Sequence, residues 1–187
     1  MSTADNTNPT AIFQPFNTLT LADAAERYAA MGLKVFPLQA NSKLPMAGWS
    51  WKRMATSDVD TVRAWWRQWP LANIGIALGA PSGVDALDID VKNGQDGRRS
   101  YQAITQDAYD GPIQQTPTGG QHLLFKHTDG LINFTHKGQL GGLDMRTTGG
   151  YIVAAPSHTP DGPYWWVQDG KVPAMPDALR AACRQWS

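Results

Sequence analysis

The sequence predicts an α+β fold, and three observations support this prediction. Strand patterns outnumber helical patterns along the 187 residues. The 18 Gly and 13 Pro indicate many turns between short elements. The hydrophobic fraction of 42% is enough for the core of one domain of ordinary size. We therefore expect a single sheet-rich domain.

The N-terminus is polar and shows no periodicity, which predicts a flexible tail over residues 1–18. Phe13 and Phe16 are the residues that can pin this tail to the body of the protein. The domain itself is then expected to span residues 19–187.

Two helices are predicted in the first half of the domain. Thr20 and Asp23 form a capping-box pattern ahead of a helix over residues 21–31. Thr56 is expected to cap a second helix, over residues 57–68, in which apolar residues recur at helical spacing.

A turn at residues 81–83 separates two strand patterns, 73–79 and 84–90. We expect these two strands to form a tight antiparallel pair. The other predicted elements are, in chain order, strand 33–38, helix 99–105, strands 122–126, 143–146 and 151–154, and helix 176–184.

Charge and cysteine content exclude several classes of protein. The chain carries 16 Lys and Arg against 16 Asp and Glu, which argues against tight nonspecific DNA binding by this chain alone. The single cysteine, Cys183, excludes an internal disulfide and a cysteine-based zinc site. No apolar stretch is long enough to span a bilayer, and the N-terminus lacks a signal-peptide pattern. We therefore expect a cytoplasmic protein without membrane contact.

The strongest chemical signal is the acidic pair Asp88 and Asp90 at the end of strand pattern 84–90. Strand alternation places both carboxylates on one face, about 7 Å apart, while Leu87 and Ile89 point into the core. Two such carboxylates repel each other unless a cation lies between them, so the pair predicts half of a divalent metal site. A solvated strand end is the alternative, because an isolated Asp-x-Asp is common.

Asp144, on another predicted strand, is the candidate third acid. Three carboxylates can hold two Mg²⁺ or Mn²⁺ ions about 3.5–4 Å apart, an arrangement that aligns an attacking hydroxyl with a leaving pyrophosphate. Arg146 shares a face with Asp144 and can bind phosphate through its planar guanidinium. The alternative is an ion pair between these two residues without a function.

His122 follows Gly119 and Gly120 at the start of a predicted strand. The glycines allow a ligand to approach the backbone closely. The histidine can then donate to a triphosphate oxygen or take part in proton transfer. A hydrogen bond between His122 and a neighbouring backbone carbonyl is the alternative.

These segments, in this order, resemble the N-terminal primase-polymerase domain of bifunctional replication proteins from phages, plasmids and prophages. That domain belongs to the archaeo-eukaryotic primase superfamily. The resemblance covers nearly the whole chain after the tail. It is carried by 25–32, Val35-Phe36-Pro37-Leu38, Lys43-Leu44-Pro45, Gly48-Trp49, Trp65-Trp66, Asn73-Ile74-Gly75-Ile76, 82–90, Gly119-Gly120-Gln121-His122, 142–146, Gly149-Gly150-Tyr151 and Pro156-Ser157.

The resemblance implies an RRM-like palm sheet of the archaeo-eukaryotic primase type, packed with an N-terminal α/β lobe. It also implies that Asp88, Asp90 and Asp144 bind two Mg²⁺ or Mn²⁺ ions and act in catalysis together with His122. The expected nucleotide-binding residues are Lys43, Asn73, Gly120, His122, Arg146 and Ser157.

The sequence thus predicts a template-directed DNA polymerase or primase domain that transfers nucleotides from dNTPs or NTPs to a primer 3′-hydroxyl. Its expected partners are template and primer DNA and, in a longer protein, a C-terminal helical primase segment and a helicase domain. One alternative is another Asp-x-Asp metal enzyme, either a nuclease or a nucleotide-sugar transferase. The other alternative is a non-catalytic DNA-binding module of a replication initiator.

Overall fold

Short helices and strands are interspersed along the chain in the computed structural model, which describes residues 12–92, 94–136 and 141–186. The helices are a 3-10 helix (Gln14–Thr18), α1 (Leu21–Ala30), α2 (Trp51–Met54), α3 (Val59–Gln68), α4 (Gly97–Thr105) and α5 (Asp177–Gln185). The strands are β1 (Lys34–Leu38), β2 (Asn73–Ala77), β3 (Val84–Ile89), β4 (Ile113–Gln115), β5 (Gln121–Lys126), β6 (Phe134–His136), β7 (Leu143–Arg146), β8 (Tyr151–Ala154), β9 (His158–Thr159), β10 (Gly162–Pro163) and β11 (Trp165–Gln168). Within these ranges, no helix combines the length and apolarity needed to cross a bilayer.

The first two long helices begin at side chains that accept a hydrogen bond from the first turn. Thr20 accepts from the backbone N–H of Asp23 and caps α1, as predicted. The cap of α3 is Asp58, whose carboxylate accepts from the backbone N–H of Thr61 at 2.8 Å. The predicted cap, Thr56, is therefore wrong, because its hydroxyl accepts from the backbone N–H of Asp58 before the helix begins.

The strands form three antiparallel sheets. A six-stranded sheet has the order β11-β4-β5-β3-β7-β6, and a three-stranded sheet has the order β1-β2-β8. Strands β9 and β10 pair with each other. Helices α1 and α3 pack together beside the three-stranded sheet. Helices combined with antiparallel sheets confirm the predicted α+β class.

The two faces of the six-stranded sheet bury different cores. Leu87 and Ile89 lie in one core together with Tyr101 of α4 and Leu179 of α5. The opposite face of β3 places Ala86 in the core shared with the three-stranded sheet, α1 and α3. Strand alternation therefore assigns Leu87 and Ile89 to the core correctly, and it leaves the even-numbered positions of β3 facing the other sheet.

The predicted antiparallel pairing of strands 73–79 and 84–90 is wrong. Strand β2 lies between β1 and β8, whereas β3 lies between β5 and β7 in the other sheet. Gly79, with a φ of 81°, and Val84 form an isolated bridge where the chain passes from one sheet to the other. A turn signal specifies that the chain changes direction, but not which sheet the next strand joins.

Residues 12–18, which the sequence assigns to the tail, pack on the body of the protein. Phe16 is buried, and its ring stacks on that of Tyr28 with 3.9 Å between centroids. Phe13 is also buried. The two phenylalanines thus pin this segment, and residues 1–11 lie outside the described residues.

Candidate active site

A row of polar side chains crosses the centre of the six-stranded sheet. Asp88 of β3 lies directly opposite His122 of β5 on one side and Asp144 of β7 on the other. Directly opposed residues of antiparallel strands point to the same face, so the sheet register brings these three side chains together. Gln114 of β4 and Thr135 of β6 extend the row at its two ends.

Asp90 comes two residues after Asp88, where β3 ends. Its backbone N–H donates to the carbonyl of Gly142 at 2.8 Å, and its own carbonyl accepts from the N–H of Gly97 at 3.0 Å. These bonds fix the end of β3 between the start of β7 and the start of α4. The Nζ of Lys92 lies 3.5 Å from Oδ1 of Asp90.

Asp88, Asp90 and His122 line a cavity of about 480 Å³ between the six-stranded sheet and β8. The lining combines opposite charges with apolar surface, as expected for a site that binds a charged organic ligand. Its other prominent members are the cations Lys43, Lys92 and Arg146 and the aromatic residues Trp51, Tyr151 and Tyr164.

Burial changes the acidity of two carboxyl groups in this row. Burial and then the charge of Asp90 raise the pKa of Asp88 to about 6, although Arg146 and two lysines act in the opposite direction. Burial also raises the pKa of Asp144 against the effect of Arg146. Desolvation is thus the main cause of both shifts, and the nearby cations offset it only in part.

Arg146 lines the cavity and is also bound to Asp144. Its Nη2 donates to Oδ2 of Asp144 at 2.6 Å, and the hydroxyl of Thr135 donates to the same oxygen at 3.0 Å. The ion pair that the sequence offered as an alternative is therefore present. Arg146 nevertheless lines the cavity, where its guanidinium can also face a ligand.

His122 is buried, and burial together with the charges of Lys43 and Arg146 lowers its pKa to about 3. Its Nδ1 lies 2.8 Å from Nε2 of Gln114, and its Nε2 lies 3.9 Å from Oδ1 of Asp88. The partner of Nδ1 is thus a side-chain amide rather than the backbone carbonyl considered from the sequence. The imidazole is neutral at physiological pH.

A family model supplies the decisive comparison. The model of Prim-Pol, described as the N-terminal domain of bifunctional DNA primase/polymerase, matches residues 25–178. The chain belongs to the Prim-Pol family. Membership implies a primase/polymerase domain with nucleotidyltransferase activity. No match is found among curated proteins.

Prim-Pol enzymes generally depend on divalent metal ions. The carboxylates of this Prim-Pol domain are the oxygen ligands that Mg²⁺ and Mn²⁺ prefer. In the part of the chain that the structure describes, no three His, Cys, Asp or Glu side chains are arranged to hold an ion. Asp144 is not among the residues that line the cavity, and its Oδ2 is bound to Arg146 and Thr135. The donor chemistry fits a divalent ion once this oxygen exchanges its partners.

The structure does not bring Asn73 and Ser157 into the cavity of the Prim-Pol domain. The amide of Asn73 donates to the carbonyls of Ser42 at 2.9 Å and His158 at 2.6 Å. The hydroxyl of Ser157 accepts from the backbone N–H of Ile74 at 2.8 Å. Both side chains therefore hold main-chain segments together beside the cavity.

The space beside Gly120 is filled by another part of the protein and is not open to a ligand. A Cβ at this position would lie 2.6 Å from the carbonyl oxygen of Ile89. The carbonyl of Gly120 accepts from the backbone N–H of Thr116, which closes the turn before β5. Because Gly120 has no Cβ, the backbone of β3 can lie close to it.

The sequence reasoning misses several buried polar residues, among them Gln114 and Asp85. The carboxylate of Asp85 lies 2.9 Å from Nδ1 of His127 and accepts from the backbone N–H of Thr128 and the hydroxyl of Thr147. It thereby ties together the ends of β3, β5 and β7. Alternation with Leu87 and Ile89 already placed Asp85 on the buried face, whereas the role of Gln114 depends on strand register and has no such signal.

Proposed function

We propose that this Prim-Pol domain is the template-directed polymerase and primase domain of a phage, plasmid or prophage replication protein. It would transfer nucleotides from dNTPs or NTPs to a primer 3′-hydroxyl with the help of two metal ions. The observation that carries this proposal is the position of Asp88 between Asp144 and His122, beside a cavity that also contains Arg146 and Lys43.

In this proposal Asp88, Asp90 and Asp144 hold two Mg²⁺ or Mn²⁺ ions. When bound, the ions would activate the attacking hydroxyl and neutralise the triphosphate. The primer 3′-oxygen forms a bond to the α-phosphorus, the bond to the β-phosphate breaks, the hydroxyl proton is released and pyrophosphate leaves. Asp144 takes part after Arg146 turns from its carboxylate to the incoming phosphates.

The triphosphate is bound by Lys43, His122 and Arg146, which surround the cavity beside the acids. Lys43 and Arg146 contribute positive charge, and neutral His122 donates a hydrogen bond, as charge accumulates on the leaving pyrophosphate. Asn73, Gly120 and Ser157 belong to this nucleotide site through the main-chain segments that they hold. The six-stranded sheet would be the RRM-like palm, with the three-stranded sheet and its helices as the N-terminal lobe.

The test is primer extension with a labelled primer, a template, dNTPs or NTPs, and Mg²⁺ or Mn²⁺. We expect extension by the natural protein and only background in the double variant Asp88→Ala/Asp90→Ala. The double variant Asp107→Ala/Asp110→Ala removes two exposed carboxylates from the loop before β4 and should retain activity. Full activity of the Asp88→Ala/Asp90→Ala protein would contradict the proposal.

Three further assays separate the alternatives. DNA cleavage without nucleoside triphosphates would indicate a nuclease, and hydrolysis of a nucleotide-sugar would indicate a sugar transferase. Salt-dependent DNA binding without metal-dependent turnover would indicate a DNA-binding module.

His122→Ala should weaken triphosphate binding by about tenfold, and an unchanged affinity would remove His122 from the triphosphate site.

A further inference from the structure

Gln114 is a fully buried amide in β4, directly opposite His122 of β5. It belongs to the six-stranded sheet, yet two of its hydrogen bonds cross to the segment that contains β8. The amide oxygen accepts from the backbone N–H of Ala155 at 2.7 Å, and Nε2 donates to the carbonyl of Val153 at 2.8 Å. Gln114 therefore connects His122 to the opposite wall of the cavity.

These backbone partners determine which end of the amide faces His122. A backbone N–H can only donate and a backbone carbonyl can only accept. The oxygen of Gln114 must therefore face Ala155, and its NH₂ group must face Val153. Rotating the amide by a half turn would place a donor against a donor and an acceptor against an acceptor.

The second hydrogen of the same NH₂ group is available to His122. Nε2 of Gln114 lies 2.8 Å from Nδ1 of His122, so Nδ1 must accept and cannot carry a proton. In a neutral imidazole the proton is then on Nε2. This nitrogen lies on the side of Asp88, whose Oδ1 is 3.9 Å away, and the ring is stacked on Tyr164 with 6.0 Å between centroids.

We propose that Gln114 is a positioning residue that fixes His122 in the neutral Nε2–H tautomer, with this N–H directed into the cavity as a hydrogen-bond donor. For the ligand, the inference rests on the proposed function, because the acceptor would be an anionic oxygen of the nucleoside triphosphate. The opposite tautomer would present a lone pair to that oxygen and repel it. His122 then acts as a donor that keeps its proton, rather than as a proton-transfer acid.

The first test measures the tautomer itself. Nitrogen NMR of protein labelled with ¹⁵N-histidine should show His122 with Nε2 protonated and Nδ1 unprotonated, its signals being identified by their absence from His122→Ala. A protonated Nδ1, in either the other tautomer or the imidazolium, would overturn the proposal. This measurement uses the natural protein without nucleotide, so it remains decisive even if a variant of Gln114 does not fold.

The second test is a double-mutant cycle on the affinity for the α,β-methylene analogue of dATP in the presence of Mg²⁺. Gln114→Met should weaken binding by about tenfold when His122 is present and by less than about twofold in the His122→Ala background. An equal loss in both backgrounds would mean that Gln114 acts on the fold in general, and it would overturn the positioning role.

Gln168→Met is the matched control, because the Gln168 amide also donates to two backbone carbonyls, those of Tyr109 and Gly111, which do not line the cavity. We expect it to leave the affinity within about twofold of the natural value. If the analogue does not bind the natural protein, the proposed function is contradicted. The proposed hydrogen bond from His122 to a phosphate oxygen is then contradicted as well. An Nε2–H signal that changes in Gln114→Met would in that case still support the positioning of His122 by Gln114.

Discussion

At the scale of single residues, the environment of Asp88 determines its chemistry. The strand next to it on each side supplies a polar neighbour, His122 or Asp144, and the end of its own strand supplies Asp90. Burial and the negative charge of Asp90 make ionisation of Asp88 costly, which is why its pKa is raised to about 6. A group in this situation affects the stability of the metal-free protein as the pH changes.

We predict that the metal-free protein becomes less stable, relative to Asp88→Asn, as the pH rises from about 4 to about 6. In the unfolded chain Asp88 loses its proton near its ordinary pKa of 3.8, whereas in the folded protein it keeps the proton to about pH 6. The unfolded state therefore binds fewer protons in this interval, and the free energy of unfolding falls as the pH rises.

The measurement is thermal unfolding in EDTA across this pH range. Asp88→Asn should have the higher midpoint temperature at pH 7, and its advantage should disappear at pH 4. Asp107→Asn, at an exposed carboxylate, serves as the control and should follow the natural protein. Parallel curves for the natural protein and Asp88→Asn would contradict the prediction.

The sequence was sufficient to place Asp88 and Asp90 near each other, because strand alternation acts within a few residues. The relation of Asp88 to Asp144 and His122 depended on sheet register, which the residues alone did not specify. The bond between Arg146 and Asp144 was foreseen as one of two possibilities. Gln114 could not be found, because its importance comes from partners distant in the sequence.

At the scale of elements, the turn between β2 and β3 shows what local patterns leave open. Both strands and the turn are present near their predicted positions, but the turn transfers the chain from the three-stranded to the six-stranded sheet. The side of Gly79 that would carry a Cβ faces Thr148, whose hydroxyl also accepts from the backbone N–H of Ala80 at 3.1 Å. The segment that connects the two sheets thus packs against the turn that precedes β8.

We predict that Gly79→Ala lowers the free energy of unfolding by about 3 kcal/mol or more, because a Cβ would overlap the Thr148 backbone at a φ of 81°. Gly83→Ala is the matched control, with a φ of 70° but open space around its Cβ position. It should lose only about 1 kcal/mol from backbone strain. Urea unfolding of both variants measures the difference, and equal losses would show that the contact with Thr148 is unimportant.

At the scale of the whole molecule, the segment before α1 is part of the folded body. Phe16 stacks on Tyr28, and Phe13 lies 4.5 Å from Trp166 between ring centroids. Asp169 accepts hydrogen bonds from the backbone N–H groups of residues 12–14. Residues 12–16 therefore lie against β11 and Asp169, a long-range contact that composition alone did not reveal.

We predict that a chain beginning at Leu19 is less stable than the natural chain by at least the cost of Phe16→Ala, about 3 kcal/mol. The loss follows from the removal of buried aromatic surface. Gln14→Ala, at an exposed position of the same segment, should change stability little. Urea unfolding compares the four proteins, and natural stability of the shortened chain would show that residues 1–18 are dispensable for the fold.

The strand order of the two larger sheets also bears on how the protein is made. Strand β8 (residues 151–154) completes the sheet begun by β1 and β2, and β11 (residues 165–168) covers the edge of β4. Until residues 151–168 have been synthesised, β2 and β4 in the nascent polypeptide have open edges that can pair with other chains. Both sheets can be completed only after residue 168 has been synthesised.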